Sequence, residues 1–308
     1  MNSFIINPQK NFPTAFEGFF FNENNFVSRA SSEERFTFVF LDRTSKIKAR
    51  FVLFIQGSEG LSPLRAPFGS FEFAKNFSGQ ELDEFIYHID NFAKQKKLSG
   101  LSITSWPDCY NPENAEMLKK ALLKSGYQVI VEDHNYHLET GTSFESLIHV
   151  SEKGKLNKSM NAGFRFSIGS IDDVRSIHNL VAEARKQRGH PLSMSLADYE
   201  KMFLQFPDRY ILFTLYDREK LIAACTGVKI NSKILYNFLG ADDFNYKSYS
   251  PMVMLMKGVY DYCADRDYHI FDLGIGTANG IVNPGLVQFK KYLGGKFSYK
   301  LTYHKRYS

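Results

Sequence analysis

The chain has 308 residues, 44% of them apolar and 23% charged, with a net charge of +5 from 38 basic and 33 acidic side chains. These are the fractions of a globular protein with a core to bury, and they exclude intrinsic disorder. The excess positive charge is too small for a dedicated nucleic-acid domain, which gathers its charge on one face.

From the N-terminus, no basic segment followed by an apolar run precedes Phe12, so no secretory leader is expected. Strands are expected at 35–41 and 49–56, with a turn at Thr44 and Ser45. An irregular loop at 64–71 follows, carrying Arg65, Pro67, Phe68 and Gly69. Leu82, Phe85, Ile86 and Ile89 recur at helical spacing and predict a helix over 81–97. Then come a strand at 101–106, an Asn111–Pro112 helix start, a helix ending near Ser125 and Gly126, and strands at 127–132 and 134–139. Glycines at 141, 154 and 163 mark a hinge between 140 and 166, which holds a basic amphipathic helix over 144–161 with Lys153, Lys155 and Lys158.

The second half repeats the order. A helix over 172–184 runs into a basic loop, 184–194, and strands at 209–217 and 220–229 flank the turn Asp217-Arg218-Glu219. A helix over 251–266, a strand at 269–273, an Asn283–Pro284 helix start, a stop at Gly294 and Gly295, and a last strand at 298–304 complete it. In both halves Asn caps a free N–H and Pro suits the first helical turn. The chain therefore reads as two copies of one α+β unit, each a mixed, mainly antiparallel sheet flanked by helices. The domains are expected at 1–147 and 148–308, the C-terminal strand being free to cross to the first.

Cys109, Cys225 and Cys263 lie far apart with no CxxC, so neither a disulfide framework nor a metal site is expected, and the setting is read as cytoplasmic. The longest apolar runs, 36–41 and 51–55, are strand-length and too short for a membrane span. The chain has 29 Phe and one Trp, an excess read mainly as core. Serine-hydrolase, HExxH and P-loop motifs are absent, and the eight His stand singly. The stretch 271–280, with glycines at 274, 276 and 280, has the strand-to-loop geometry that cradles phosphate, although a tight turn explains the glycines equally well. Its G-x-G-x-x-x-G spacing and its place near the C-terminus exclude a dinucleotide site. Lys290 and Lys291 follow on the next helix; Arg188 sits in a Gly/Pro loop and Arg65 among apolar residues, where a guanidinium suits a carboxylate or phosphate.

Phe271-Asp272-Leu273-Gly274, followed by Gly285-Leu286, Phe289-Lys290 and Gly294-Gly295, resembles the C-terminal signature of the FemABX non-ribosomal peptidyltransferases and of related proteins of the GNAT superfamily. Pro67-Phe68-Gly69, the basic stretch 152–163 and the junction from Gly240 to Pro251 are similar to further parts of the pattern. The resemblance implies two tandem GNAT-like domains and acyl transfer to an amine. Aminoacyl-tRNA or acyl-CoA would be the donor, with no tightly bound cofactor. A peptidoglycan-precursor or small-molecule amine would be the acceptor, and tRNA a partner. It also implies an electrostatic catalytic role for Lys290. Arg65, Phe68, Gly69 and Arg188 would line the acceptor site, with Tyr249 and Asn283 near the point of transfer. Residues 246–251 carry no glycine where ordinary GNAT proteins have their pyrophosphate loop, which speaks against acetyl-CoA. The alternatives are an acyl-CoA-dependent N-acyltransferase and a binding protein on the same scaffold without turnover.

Overall fold

The computed structural model describes residues 3–29, 34–192 and 194–307. In chain order the elements begin with β1 (Ser3–Ile6), α1 (Asn24–Val27), β2 (Glu34–Leu41), β3 (Ile47–Gln56) and β4 (Glu59–Ser62). They continue with β5 (Glu72–Phe73), α2 (Gly79–Gln95), β6 (Gly100–Thr104), α3 (Pro112–Lys124) and β7 (Gln128–Glu139). Next are α4 (Phe144–Leu147), α5 (Val150–Asn161), β8 (Arg165–Ile168), α6 (Val174–Gln187) and α7 (Leu196–Gln205). Then follow β9 (Tyr210–Asp217), β10 (Lys220–Lys229), β11 (Ile234–Asp242), α8 (Pro251–Asp265) and β12 (Ile270–Ile275). The chain closes with β13 (Thr277–Ala278), β14 (Ile281–Val282), α9 (Pro284–Tyr292) and β15 (Lys296–Arg306). No helix among the described residues is long and apolar enough to cross a membrane.

The residues gather into two compact units. The first is drawn from Met1–His134, Thr277–Ile281 and Ser298–Ser308, the second from Asn135–Gly276 and Val282–Phe297. In the first, the strand order is β1-β2-β3-β4-β6-β15, then the N-terminal part of β7. The β2, β3 and β4 meander is antiparallel, β4 and β6 are parallel, and β6 and β15 are antiparallel. Much of the phenylalanine excess resides here: Phe38, Phe51, Phe71 and Phe85 are buried, with the Phe51 and Phe71 rings stacked at 4.4 Å. Helix α2 starts at a capping box in which Ser78 accepts from the Glu81 N–H and the Glu81 carboxylate accepts from the Ser78 N–H. A buried ion pair joins Arg50 to Glu72, the guanidinium donating to the carboxylate at 2.5 and 2.9 Å.

The second unit has the order β7-β12-β11-β10-β9-β8, β7 taking part through its residues from Asn135 onward. The meander β9, β10 and β11 is antiparallel and β11 and β12 are parallel, the same succession as β2, β3, β4 and β6. The duplication is thus a repeat of topology, with Asn111–Pro112 and Asn283–Pro284 starting equivalent helices, each Asn accepting an N–H three residues on. Helix α8 covers the sheet with Val253, Leu255, Met256 and Val259, all buried.

Two expected elements differ. The strands expected at 127–132 and 134–139 are the single strand β7. The helix expected over 144–161 is two, because Ile148 and His149 are extended (ψ 148° and 151°), and His149 caps α5 by accepting from the Ser151 N–H. Periodicity spans this break because the burial stripe continues through Phe144 and Leu156.

Candidate active site

The site in the second unit begins with a defect in its sheet. Parallel strands β11 and β12 pair over only three positions, Ile234 with Ile270, Leu235 with Phe271 and Tyr236 with Asp272. Each then bulges on its other edge. The β10 ladder shifts register between Thr226 and Gly227, and the β7 ladder between Asp272 and Gly274. A bulge bends and twists its strand, and here two of them part the pair. Gly274 adopts φ +77° at the β12 bulge, a conformation open to glycine at no steric cost. Beyond the parting lies a cleft of about 700 Å³, lined by both strands, the end of α6, α8 and α9. Met252, Met256, Phe289 and Leu293 supply apolar wall, and Arg185 in the last turn of α6 with Arg188 and His190 just beyond it are basic groups of the lining.

Lys290 faces this cleft from α9, whereas Lys291 beside it is exposed. The Lys290 ammonium is buried and donates to the main-chain carbonyls of Leu273 and Ile275, each at 2.7 Å. It lies 3.8 Å from where a Cβ on Gly274 would be, next to Tyr236, and so sits where the strands part. Burial lowers its pKa from 10.5 to about 8, opposed by the negative charge of Asp272. Asp272 is itself buried and fixed, accepting from the Asn135 side chain at 2.9 Å and from the Gly274 N–H at 2.7 Å. Gly294 and Gly295 end α9 for steric reasons. A Cβ on the first would lie 2.6 Å from the Leu147 carbonyl oxygen, and on the second 2.6 Å from that of Lys290.

In the glycine stretch 271–280, two N–H donors are bonded within the chain. The Gly274 N–H is bonded to Asp272 and, in the first unit, the Gly280 N–H to Asp133 at 3.2 Å. Carboxylates of the chain thus occupy these two donors, and Gly274 sits at a bulge.

Of the other expected residues, Arg188 and Asn283 line the same cleft as Lys290. Arg188 pairs with Asp242 at 3.0 Å, and Asn283 caps α9 through its contact with the Leu286 N–H. Tyr249 lines a different depression of the same unit, together with Lys158 and Tyr246, and its carbonyl accepts from the Ser159 hydroxyl at 2.7 Å. In the basic loop 184–194, Ser193 lies outside the described residues. In the first unit Arg65 is exposed in a left-handed turn, φ 55°. Gly69 permits close approach to Pro63, whose nitrogen would be 2.8 Å from an added Cβ. Phe68 is 2% exposed, edge-on to Phe19, Phe21 and Tyr110, so its ring serves packing and presents no face to a ligand.

Sequence reasoning missed Asn237, Met252 and Met256 as cleft residues. For Asn237 a signal existed: one amide inside the apolar strand run Ile-Leu-Tyr-Asn-Phe-Leu.

Residues 152–291 match the family model described as an acetyltransferase (GNAT) domain. Among solved structures, the chain is similar to FemX, with TM-score 0.73 and 11% identity over 94% of this chain and 93% of that one. It is also similar to the C-terminal domain of a putative lysylphosphatidylglycerol synthetase from Agrobacterium fabrum, with TM-score 0.59 and 10% identity over 92% of this chain and 87% of that one. A tandem GNAT protein from the clavulanic acid biosynthesis pathway gives TM-score 0.51 and 9% identity over 89% and 83% of the two chains. At these identities the likeness is one of fold. No curated protein sequence matches the chain.

Proposed function

We propose that this chain, two tandem GNAT-like domains with the fold of GNAT-type acyltransferases, transfers an aminoacyl group from an activated donor to an amine. The donor is aminoacyl-tRNA and the acceptor a cell-wall precursor amine, in the manner of the FemABX enzymes it resembles. The observation that carries this reading is Lys290, a buried ammonium at the parting of β11 and β12.

An ammonium has three N–H donors. Two are held by the Leu273 and Ile275 carbonyls, which fix the group, and the third remains for the cleft. In acyl transfer the amine nitrogen attacks the donor carbonyl carbon. A C–N bond forms, the bond to the donor's ester oxygen breaks, the nitrogen loses a proton and the leaving oxygen gains one. Negative charge develops first on the carbonyl oxygen and then on the leaving group. A fixed cation in a site of low dielectric stabilises it without reorganising. Arg185, Arg188 and His190 suit the phosphates of the donor.

A second reading, acyl-CoA as donor, is favoured by the match of 152–291 to an acetyltransferase domain. Opposing it, the segment Phe244–Tyr249 ahead of α8 is a 3-10 helix closed by Ser250 at φ 55°, with no glycine loop. Thermal unfolding with charged tRNA, uncharged tRNA and acyl-CoA separates the two readings, because a ligand of the native state raises Tm. Charged tRNA should raise it in a salt-sensitive way. A shift with acyl-CoA alone would favour the second reading, and a shift with neither would refute both.

A further inference from the structure

We propose that Asn237 holds the attacking amine, accepting one of its N–H groups so that the nitrogen lone pair is turned to the donor carbonyl; this rests on the acyl-transfer reading above. Asn237 is the residue immediately beyond the last pair of β11 with β12, and it stands opposite Gly227 at the register shift with β10. It is therefore the first residue of β11 released into the cleft, whose wall it forms.

Its Oδ1 is buried and has no hydrogen-bond partner. A buried acceptor without a donor is costly, and such groups in a folded protein call for an explanation. Here nothing holds the oxygen inward. The oxygen and nitrogen of an amide exchange places on a half-turn about the last side-chain bond, with almost no change of shape. Asn237 lines the cleft, so a ligand's N–H that reaches this amide gives its oxygen the bond it lacks.

Lys290 decides what kind of N–H this is. Its Nζ lies 3.8 Å from the position of a Cβ on Gly274, and Lys290 and Asn237 line the same cleft. A second cation beside a buried ammonium is repelled, so an amine reaches Asn237 in its neutral form. That is the form with a free lone pair, the nucleophilic one. Asn237 and Lys290 thus have complementary tasks, one orienting the nucleophile and the other meeting the charge it creates.

Asn237→Leu, which keeps the volume and removes the acceptor, tests this with alanyl-tRNA and acetyl-CoA as donors and alaninamide as the amine. The expected result is a fall of roughly tenfold in kcat/KM for alaninamide, the effect of one hydrogen bond. Donor affinity should be unchanged and Tm unchanged or higher. Asn237→Asp, which keeps an acceptor, should recover part of the loss. An unchanged kcat/KM for the amine, or a parallel fall in donor affinity, would overturn the proposal while leaving acyl transfer standing. Absence of transfer by the unaltered protein from either donor would overturn both.

Discussion

Replacing Lys290 by Met separates chemistry from stability. At pH 7 the native ammonium is held with a pKa near 8 against 10.5 in the unfolded chain. A shift of that size corresponds to about 3 kcal/mol of destabilisation, which the substitution removes. Against this, the carbonyls of Leu273 and Ile275 lose their donor. At roughly 1–3 kcal/mol for each buried acceptor, the loss is about 2–6 kcal/mol. The net change lies between a slight gain and a loss of about 3 kcal/mol, a Tm decrease of at most about 10 °C. The variant should therefore fold, while its transfer rate falls by roughly a hundredfold or more, as when a group meeting transition-state charge is removed. The pH dependence has a definite sign. If the charged form acts, the native rate falls as pH rises through about 8, and the variant lacks that limb. Stability moves the other way. The folded pKa lies below the unfolded one, so the burial penalty is complete below pH 8 and disappears between 8 and 10.5. The native protein thus gains on the variant in that window. Transfer assays with charged tRNA from pH 6 to 10, beside urea unfolding at the same pH values, measure both. An unchanged rate in a folded variant, or a native rate flat through pH 8, would refute the reasoning.

Three further outcomes are expected. Asp272→Asn keeps an oxygen for the Asn135 side chain and the Gly274 N–H but removes the charge that supports Lys290, so the alkaline limb of the rate should move below pH 8; a limb that stays in place would show that Asp272 does not act on Lys290. Gly294→Ala puts a Cβ 2.6 Å from the Leu147 carbonyl oxygen at φ +85°, and unfolding should show a loss of about 2–4 kcal/mol together with reduced transfer, because α9 carries Lys290. Arg50→Met strands the buried Glu72 carboxylate in the first unit, and a loss of about 3–5 kcal/mol in urea unfolding is expected.

The sequence was most informative where one local rule decides the outcome. Asn111–Pro112 and Asn283–Pro284 mark helix starts because a side-chain cap and a fixed φ act within one turn. The turn at Asp217–Arg218–Glu219 and the antiparallel pair it joins were legible for the same reason, as was the α+β repeat. The break at Ile148 and His149 was not, since two short helices sharing a buried stripe keep the period of one. Among site residues, Phe68 was not legible in the same way: beside Pro67 and Gly69 it reads as part of a loop, and only the tertiary structure shows the rings packed around it.

By itself, then, the sequence determined that this protein is a duplicated α+β chain, because propensity, caps and hydrophobic period are local properties. Tertiary structure alone decided that Lys290 is buried and Lys291 exposed, and that the Gly274 and Gly280 N–H groups are bonded to Asp272 and Asp133. It also brought Asn237, with its unpartnered Oδ1, into the same cleft. The bulges beside β11 and β12 are likewise set by the register of neighbouring strands distant in the chain.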